Sequence, residues 1–401
     1  MFDESLLDDP DALSRADLHG LLRGAAEAGA RVRTAARDAA EAGVTALRPD
    51  GRPRAVLVAG PGPAAGCTAD LLTALAGGSA PVSLIRPTGV APAPGALRWA
   101  LPGWTGPLDL LLVASPDGTE PGLAILLEQA YRRGCSVVCV TPAGSPLADA
   151  TAQARGLAVP LTTSPSEARE AGGPAAAVGA EGGAEGGEDQ PPGERPALPI
   201  GPGLMWSLLT PLLVLADRIG LLAADPSEVE ALADRLDQVA ERCGPAIATY
   251  SNPAKTLAAE LADTLPLIWT EGELAAAAGR HFATVLAALA GRPALAAELP
   301  EALTAHGTLL SGDFAAGADP EDFFRDRVEE PETLHARVVL LREQEPDVAS
   351  PAPAARELAL QRETPVSELE PKDADSPLQT AAELLAITDF AAVYLALAST
   401  P

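Results

Sequence analysis

Short apolar runs punctuate the first 145 residues, and each runs into residues that stop a strand. Arg54–Ala59 ends at Gly60-Pro61-Gly62, and Pro81–Ile85 follows a helical stretch from Ala64 to Ala76. Leu108–Ala114 stops at Ser115-Pro116-Asp117-Gly118-Thr119, and Cys135–Val140 stops at Thr141-Pro142-Ala143-Gly144-Ser145. A helix-forming stretch, Glu120–Arg133, lies between the last two. Strands that are apolar along their whole length are buried on both faces, so the alternation predicts a parallel sheet between helices, a three-layer αβα unit. In such sheets the ligand sits beyond the carboxyl ends of the strands. The candidate binding residues are therefore Gly60, Gly62, Ser115, Gly118, Thr119, Glu120, Thr141 and Ser145.

The second half repeats the texture. Leu204–Ala223 and Glu228–Cys243 read as helices, Ala246–Tyr250 as a strand, and Asn252-Pro253-Ala254-Lys255 opens a helix to Leu261. Leu265–Trp269 reads as a strand, Glu271–Ala290 as a helix and Val338–Leu341 as a late strand. Gly, Ala, Glu and Pro fill residues 165–195 without apolar periodicity, the composition of a flexible linker. The expected division is a helical segment at 1–50 packing on a first αβα domain at 51–163, a linker at 164–196, and a second domain at 197–345. A flexible loop at 346–376 and a C-terminal helix at 377–401 complete it. That helix, apolar from Leu378 to Ala398, must dock on a core or on a partner subunit.

A formal charge of -27 argues against nucleic acid, whose phosphates need clustered Lys and Arg. The acidic start carries no signal peptide pattern. The longest apolar runs, around Leu208–Leu215, are too short to span a bilayer. The expectation is a cytoplasmic protein without a membrane or nucleic-acid partner. Cys67, Cys135, Cys139 and Cys243 form no CxxC pair and read as buried free thiols. Asp117 has no His or Cys near it and reads as a turn residue, so neither a metal site nor a cofactor is expected. His281, on a helix, reads as a surface or domain-contact residue.

Several stretches resemble a known family. Ser115-Pro116-Asp117-Gly118-Thr119-Glu120, with Ala130-Tyr131-Arg132-Arg133-Gly134-Cys135-Ser136-Val137-Val138, resembles the sugar isomerase (SIS) domain pattern. Asn252-Pro253-Ala254-Lys255 is similar to the N-P-A-K segment of the dual-specificity phosphoglucose/phosphomannose isomerases. Pro293-Ala294, Pro300-Glu301 and the ending Asp389-Phe390-Ala391-Ala392-Val393-Tyr394-Leu395-Ala396-Leu397 follow in that family's order. The resemblance implies two SIS-type doubly wound domains and a homodimer. The implied chemistry is interconversion of glucose 6-phosphate and mannose 6-phosphate with fructose 6-phosphate. It makes the strand-end residues phosphate ligands and Lys255 part of a structural segment.

The departures fall on the chemistry. Ala64 stands where the family's first phosphate loop has serine, and Ala114, Pro116 and Asp117 stand where the second has Ser, Ser and Gly. Pro116 removes an N–H donor and Asp117 adds a negative charge. The family's base would fall at Ala288, its histidine at Thr304, and its last lysine lies beyond Pro401. A rearranged active site would draw on His306, Glu301 and Glu298. The alternative is a non-catalytic sugar-phosphate binder or a dimeric scaffold.

Overall fold

The computed structural model describes residues 2–49, 51–89, 95–162, 201–311, 334–343, 349–372 and 374–399. The expected linker at 164–196 lies outside the described residues. The chain divides into two compact units, Ala30–Val229 and Met1–Gly29 with Glu230–Pro401.

The unit Ala30–Val229 holds a sheet of β1 (Val56–Ala59), β2 (Val82–Leu84), β3 (Leu110–Ala114), β4 (Ser136–Thr141) and β5 (Leu157–Pro160) in the order β2-β1-β3-β4-β5. All pairings are parallel. The fully apolar strands are buried along their length, as that requires. Leu57, Leu111, Val113 and Cys139 pack on one face against Leu123, Leu126 and Leu127 of α5 (Pro121–Arg132) and Leu147 of α6 (Pro146–Gln153). The helix after β1, α4 (Gly62–Ala76), leads to β2 on the other side of the order. Strand order therefore reverses between β1 and β3, the switch point at which doubly wound sheets open a crevice. Gly60 lies there because a Cβ would collide with the Ala114 carbonyl. α3 (Ala28–Glu41) and α7 (Leu204–Arg218) belong to this unit too. The boundary expected at 197 therefore falls instead at 229, in the first turn of α8 (Pro226–Cys243).

The other unit holds β6 (Thr264–Glu271), β7 (Leu295–Glu298), β8 (His335–Arg342) and β9 (Val366–Leu369) in the order β7-β6-β8-β9, again all parallel. Its switch point lies between β6 and β8. α10 (Glu273–Ala290) follows β6 and packs against α13 (Pro377–Ala398), as does α9 (Pro253–Leu261). A short helix, α11 (Glu301–Ala305), follows β7. The stretch expected to be a loop, 346–376, instead carries α12 (Ala352–Gln361) and β9. Ala352, Ala355 and Ala359 join Leu267, Trp269, Val338 and Leu340 in the core, which is what orders the segment.

Two more expectations change. Ala246–Tyr250 is not a strand; a single 3-10 turn, Thr249–Ser251, stands there. The Lys255 ammonium donates to the Pro245 and Ile247 carbonyls at 2.7 and 2.8 Å, so no strand partner is needed. Residues 2–29, with α1 (Pro10–Ala16) and α2 (Leu21–Ala26), pack with the C-terminal unit rather than with the first sheet. α13 is long and apolar enough by composition to cross a membrane, yet it is buried in its own unit. Its buried Glu383 and Asp389 are engaged, by Arg235 and Arg242 and by His281 respectively. The need for a partner subunit to cover this helix is thereby removed.

Candidate functional site

In the first unit the strand-end residues do converge. The buried Thr141 and Ser145 hydroxyls lie 3.2 Å apart, and Ser145 caps α6 by accepting from the Ala148 N–H. The Leu147 N–H donates to the Gly118 carbonyl at 3.0 Å, joining this loop to the one after β3. Gly118, at φ +65°, sits directly over both hydroxyls and leaves no room for a Cβ.

The donors of loop 115–119 are already taken. Asp117 Oδ1 accepts from the Ser115 hydroxyl at 3.2 Å and the Thr119 N–H at 3.1 Å; Oδ2 accepts from the Thr119 hydroxyl at 2.8 Å. The buried Ser115 oxygen in turn accepts from the Gly118 N–H at 3.1 Å. Glu120 caps α5, its carboxylate accepting from the Gly122 N–H. Gly62 is the first residue of α4, after Pro61, and no side chain caps that helix. Of the groups picked from sequence as ligands for an external anion, Ser115 and Thr119 therefore engage an internal carboxylate.

The second switch point also holds a carboxylate of the chain. Gly272, at φ +104°, precedes α10, and the Glu343 carboxylate just past β8 accepts from the Leu274 and Ala275 N–H groups. A Cβ on Gly272 would strike that carboxylate. Burial, with Glu273 and Glu271 adding to it, pushes the Glu343 carboxyl up despite the two N–H donors. Alongside, the buried Arg342 guanidinium reaches Glu271 and Glu370, each at 3.0 Å. Sequence reasoning missed Glu343, although the strand-end logic applied to the first sheet leads straight to it.

The three proposed catalytic residues have separate surroundings. Glu298, at the end of edge strand β7, is exposed and paired with Arg280 at 2.8 Å. Glu301 is exposed in the first turn of α11. His306 is buried, and its Nδ1 accepts from the Trp269 indole at 3.0 Å. An indole only donates, so this nitrogen carries the lone pair and Nε2 the proton. Burial holds His306 below its ordinary pKa, in the neutral form. His281, expected at the surface or a domain contact, is buried with Nε2 2.8 Å from Asp389.

The motif Asn252-Pro253-Ala254-Lys255 is structural. Asn252 caps α9 through the Ala254 and Lys255 N–H groups and donates to the Gly244 carbonyl. The buried Lys255 ammonium lies 5.5 Å from the Tyr394 ring centre, and the Tyr394 hydroxyl donates to the Cys243 carbonyl at 2.6 Å. The two most recognisable stretches of the second half thus meet in one core. All four cysteines are free and buried, and burial pushes Cys139 and Cys243 up to about 12. Among the described residues no group of three or more His, Cys, Asp or Glu could hold a metal ion.

Residues 250–400 match the family model of the bacterial phospho-glucose isomerase C-terminal SIS domain. No curated protein matches the chain significantly. Solved structures share the fold across nearly the whole length. A hypothetical protein from Thermus thermophilus aligns with TM-score 0.58 at 14% identity, over 98% of this chain and 89% of that one. A phosphosugar isomerase candidate from Silicibacter pomeroyi aligns with TM-score 0.53 at 16% identity, over 93% and 95%. A candidate sugar binding protein from Salmonella typhimurium aligns with TM-score 0.52 at 13% identity, over 93% and 99%.

Proposed function

We propose that this chain, whose residues 250–400 match the family model of the bacterial phospho-glucose isomerase C-terminal SIS domain, binds a carbohydrate derivative without turning it over. The binding region is the carboxyl end of the first sheet, at the switch point beside Gly60 and loop 115–119. The observation that carries the loss of catalysis is the state of His306. Aldose–ketose exchange needs a base to move a proton between C1 and C2 and an acid to open the ring. His306 is the only histidine near the family's position, and its Nδ1 is committed to Trp269 within the core. Glu298 is held by Arg280, and Glu301 faces solvent. A positioned general base contributes about 10²–10⁴-fold, so with none of these three groups serving as one little isomerase activity is expected.

The test is a coupled assay of the full chain with fructose 6-phosphate, reading glucose 6-phosphate and mannose 6-phosphate. It runs beside a thermal-shift titration with a panel of sugars and sugar phosphates. No product above the buffer control together with a stability shift from at least one sugar is the expected result. Turnover that disappears in His306→Ala would overturn it and establish a rearranged isomerase. A homodimer in the cytoplasm completes the proposal. Sedimentation velocity at micromolar concentrations reads the assembly directly, and a monomer there would remove it.

A further inference from the structure

We propose that Asp117 is the chain's own replacement for a bound phosphate. It acts as a specificity-determining residue that closes loop 115–119 to phosphate esters and leaves it to uncharged, hydroxyl-bearing ligands. This rests on the reading of the strand ends as the binding region and narrows the ligand class.

The donors are those a phosphate would use: a backbone N–H at Thr119 and the hydroxyls of Ser115 and Thr119, ahead of a twelve-residue helix. Each already points at Asp117. A phosphate entering the loop would have to break three hydrogen bonds and sit beside a carboxylate of its own sign. The like-charge contact alone costs on the order of a tenfold loss or more in affinity at about 4 Å. Among the described residues no Lys or Arg makes a hydrogen bond or ion pair to Asp117; its partners are the neutral donors of Ser115 and Thr119. Pro116, next to it, offers no N–H. Oδ2 carries only one accepted bond, at 2.8 Å from the Thr119 hydroxyl, and the side chain is only half-buried. A carboxylate with spare acceptor capacity at a sheet's switch point suits sugar hydroxyls, which donate, and not phosphate oxygens, which do not. In the second unit too a carboxylate of the chain takes up N–H donors at a strand end, Glu343 on the first N–H groups of α10.

The experiment is isothermal titration of the full-length wild type, Asp117→Gly and Asp117→Asn with inorganic phosphate, fructose 6-phosphate and fructose. Asp117→Gly frees the donors; Asp117→Asn keeps the side chain's size and removes only the charge, so one variant decides if the other fails to fold. The expected result is a gain of about tenfold or more in affinity for phosphate and for fructose 6-phosphate in the variants, with affinity for fructose unchanged or reduced. Wild type binding phosphate or fructose 6-phosphate as tightly as the variants would overturn the role of Asp117 and leave sugar binding itself standing. Variants that gain phosphate while no protein binds any sugar would sustain Asp117 as the phosphate's replacement and instead sink the carbohydrate-binding reading. Variants that gain nothing would overturn the proposal outright.

Discussion

His306 shows how one contact decides between a catalytic and a structural role. Its ring accepts from Trp269 in a core where a charged imidazolium would face an indole N–H. Burial holds the folded-state pKa below the ordinary 6.5. Between the folded value and 6.5 the unfolded chain binds more protons than the folded one, so stability falls as pH drops through that window. Above 6.5 the group contributes no pH dependence. Urea midpoints for wild type and His306→Gln should run parallel from pH 8 to 6.5. Below that the wild type should lose stability faster, narrowing the gap between the two. Curves parallel down to pH 5 would mean that the ring takes its proton freely and is available for chemistry. The sequence placed a histidine near the family's position but could not reveal this. Trp269 lies 37 residues away on another element, and only the fold brings it within reach.

Elements were legible where burial is two-sided and obscure where it is not. The fully buried β1 and β3 announce themselves as apolar runs. The edge strands β5, β7 and β9 are four residues long and only partly buried and carry no such signal. α12 hid behind proline, though proline in the first turn is favourable to a helix. α13 was visible throughout, but its polar members were silent until its neighbours were placed. Glu383, almost wholly buried, bonds Arg235 and, at 2.7 Å, Arg242; Arg235 also donates to the Lys372 carbonyl. Glu383→Ala removes the carboxylate between two guanidinium groups, one of them buried, and such a break costs about 3–5 kcal/mol. Glu383→Gln retains an acceptor and should lose less. Chemical denaturation of both variants reads the difference. A loss under about 1 kcal/mol for the alanine variant would place this pair with exposed ones.

At the scale of the whole molecule, the division by composition put the N-terminal helices on the first sheet, and nothing local could have said otherwise. Helical periodicity states which face is apolar, not which core receives it. In the folded chain Phe2 bridges Ser399, the Asp3 N–H donates to the Ala398 carbonyl at 2.8 Å, and the Asp8 carboxylate accepts from both donors of Thr249. Leu7 and Leu13 are fully buried. The two ends of the sequence, Met1–Gly29 and Glu230–Pro401, therefore share one cooperative core. Leu7→Ala should cost about 2–5 kcal/mol, the range for a large-to-small change at a fully buried site. The loss should be local to that unit. Hydrogen exchange should quicken in Pro377–Ala398 and Pro253–Leu261 while the amides of β1, β3 and β4 keep their protection. Faster exchange in β1, β3 and β4 instead, with α13 undisturbed, would restore the division that composition suggested and move the N-terminal helices back to the first sheet.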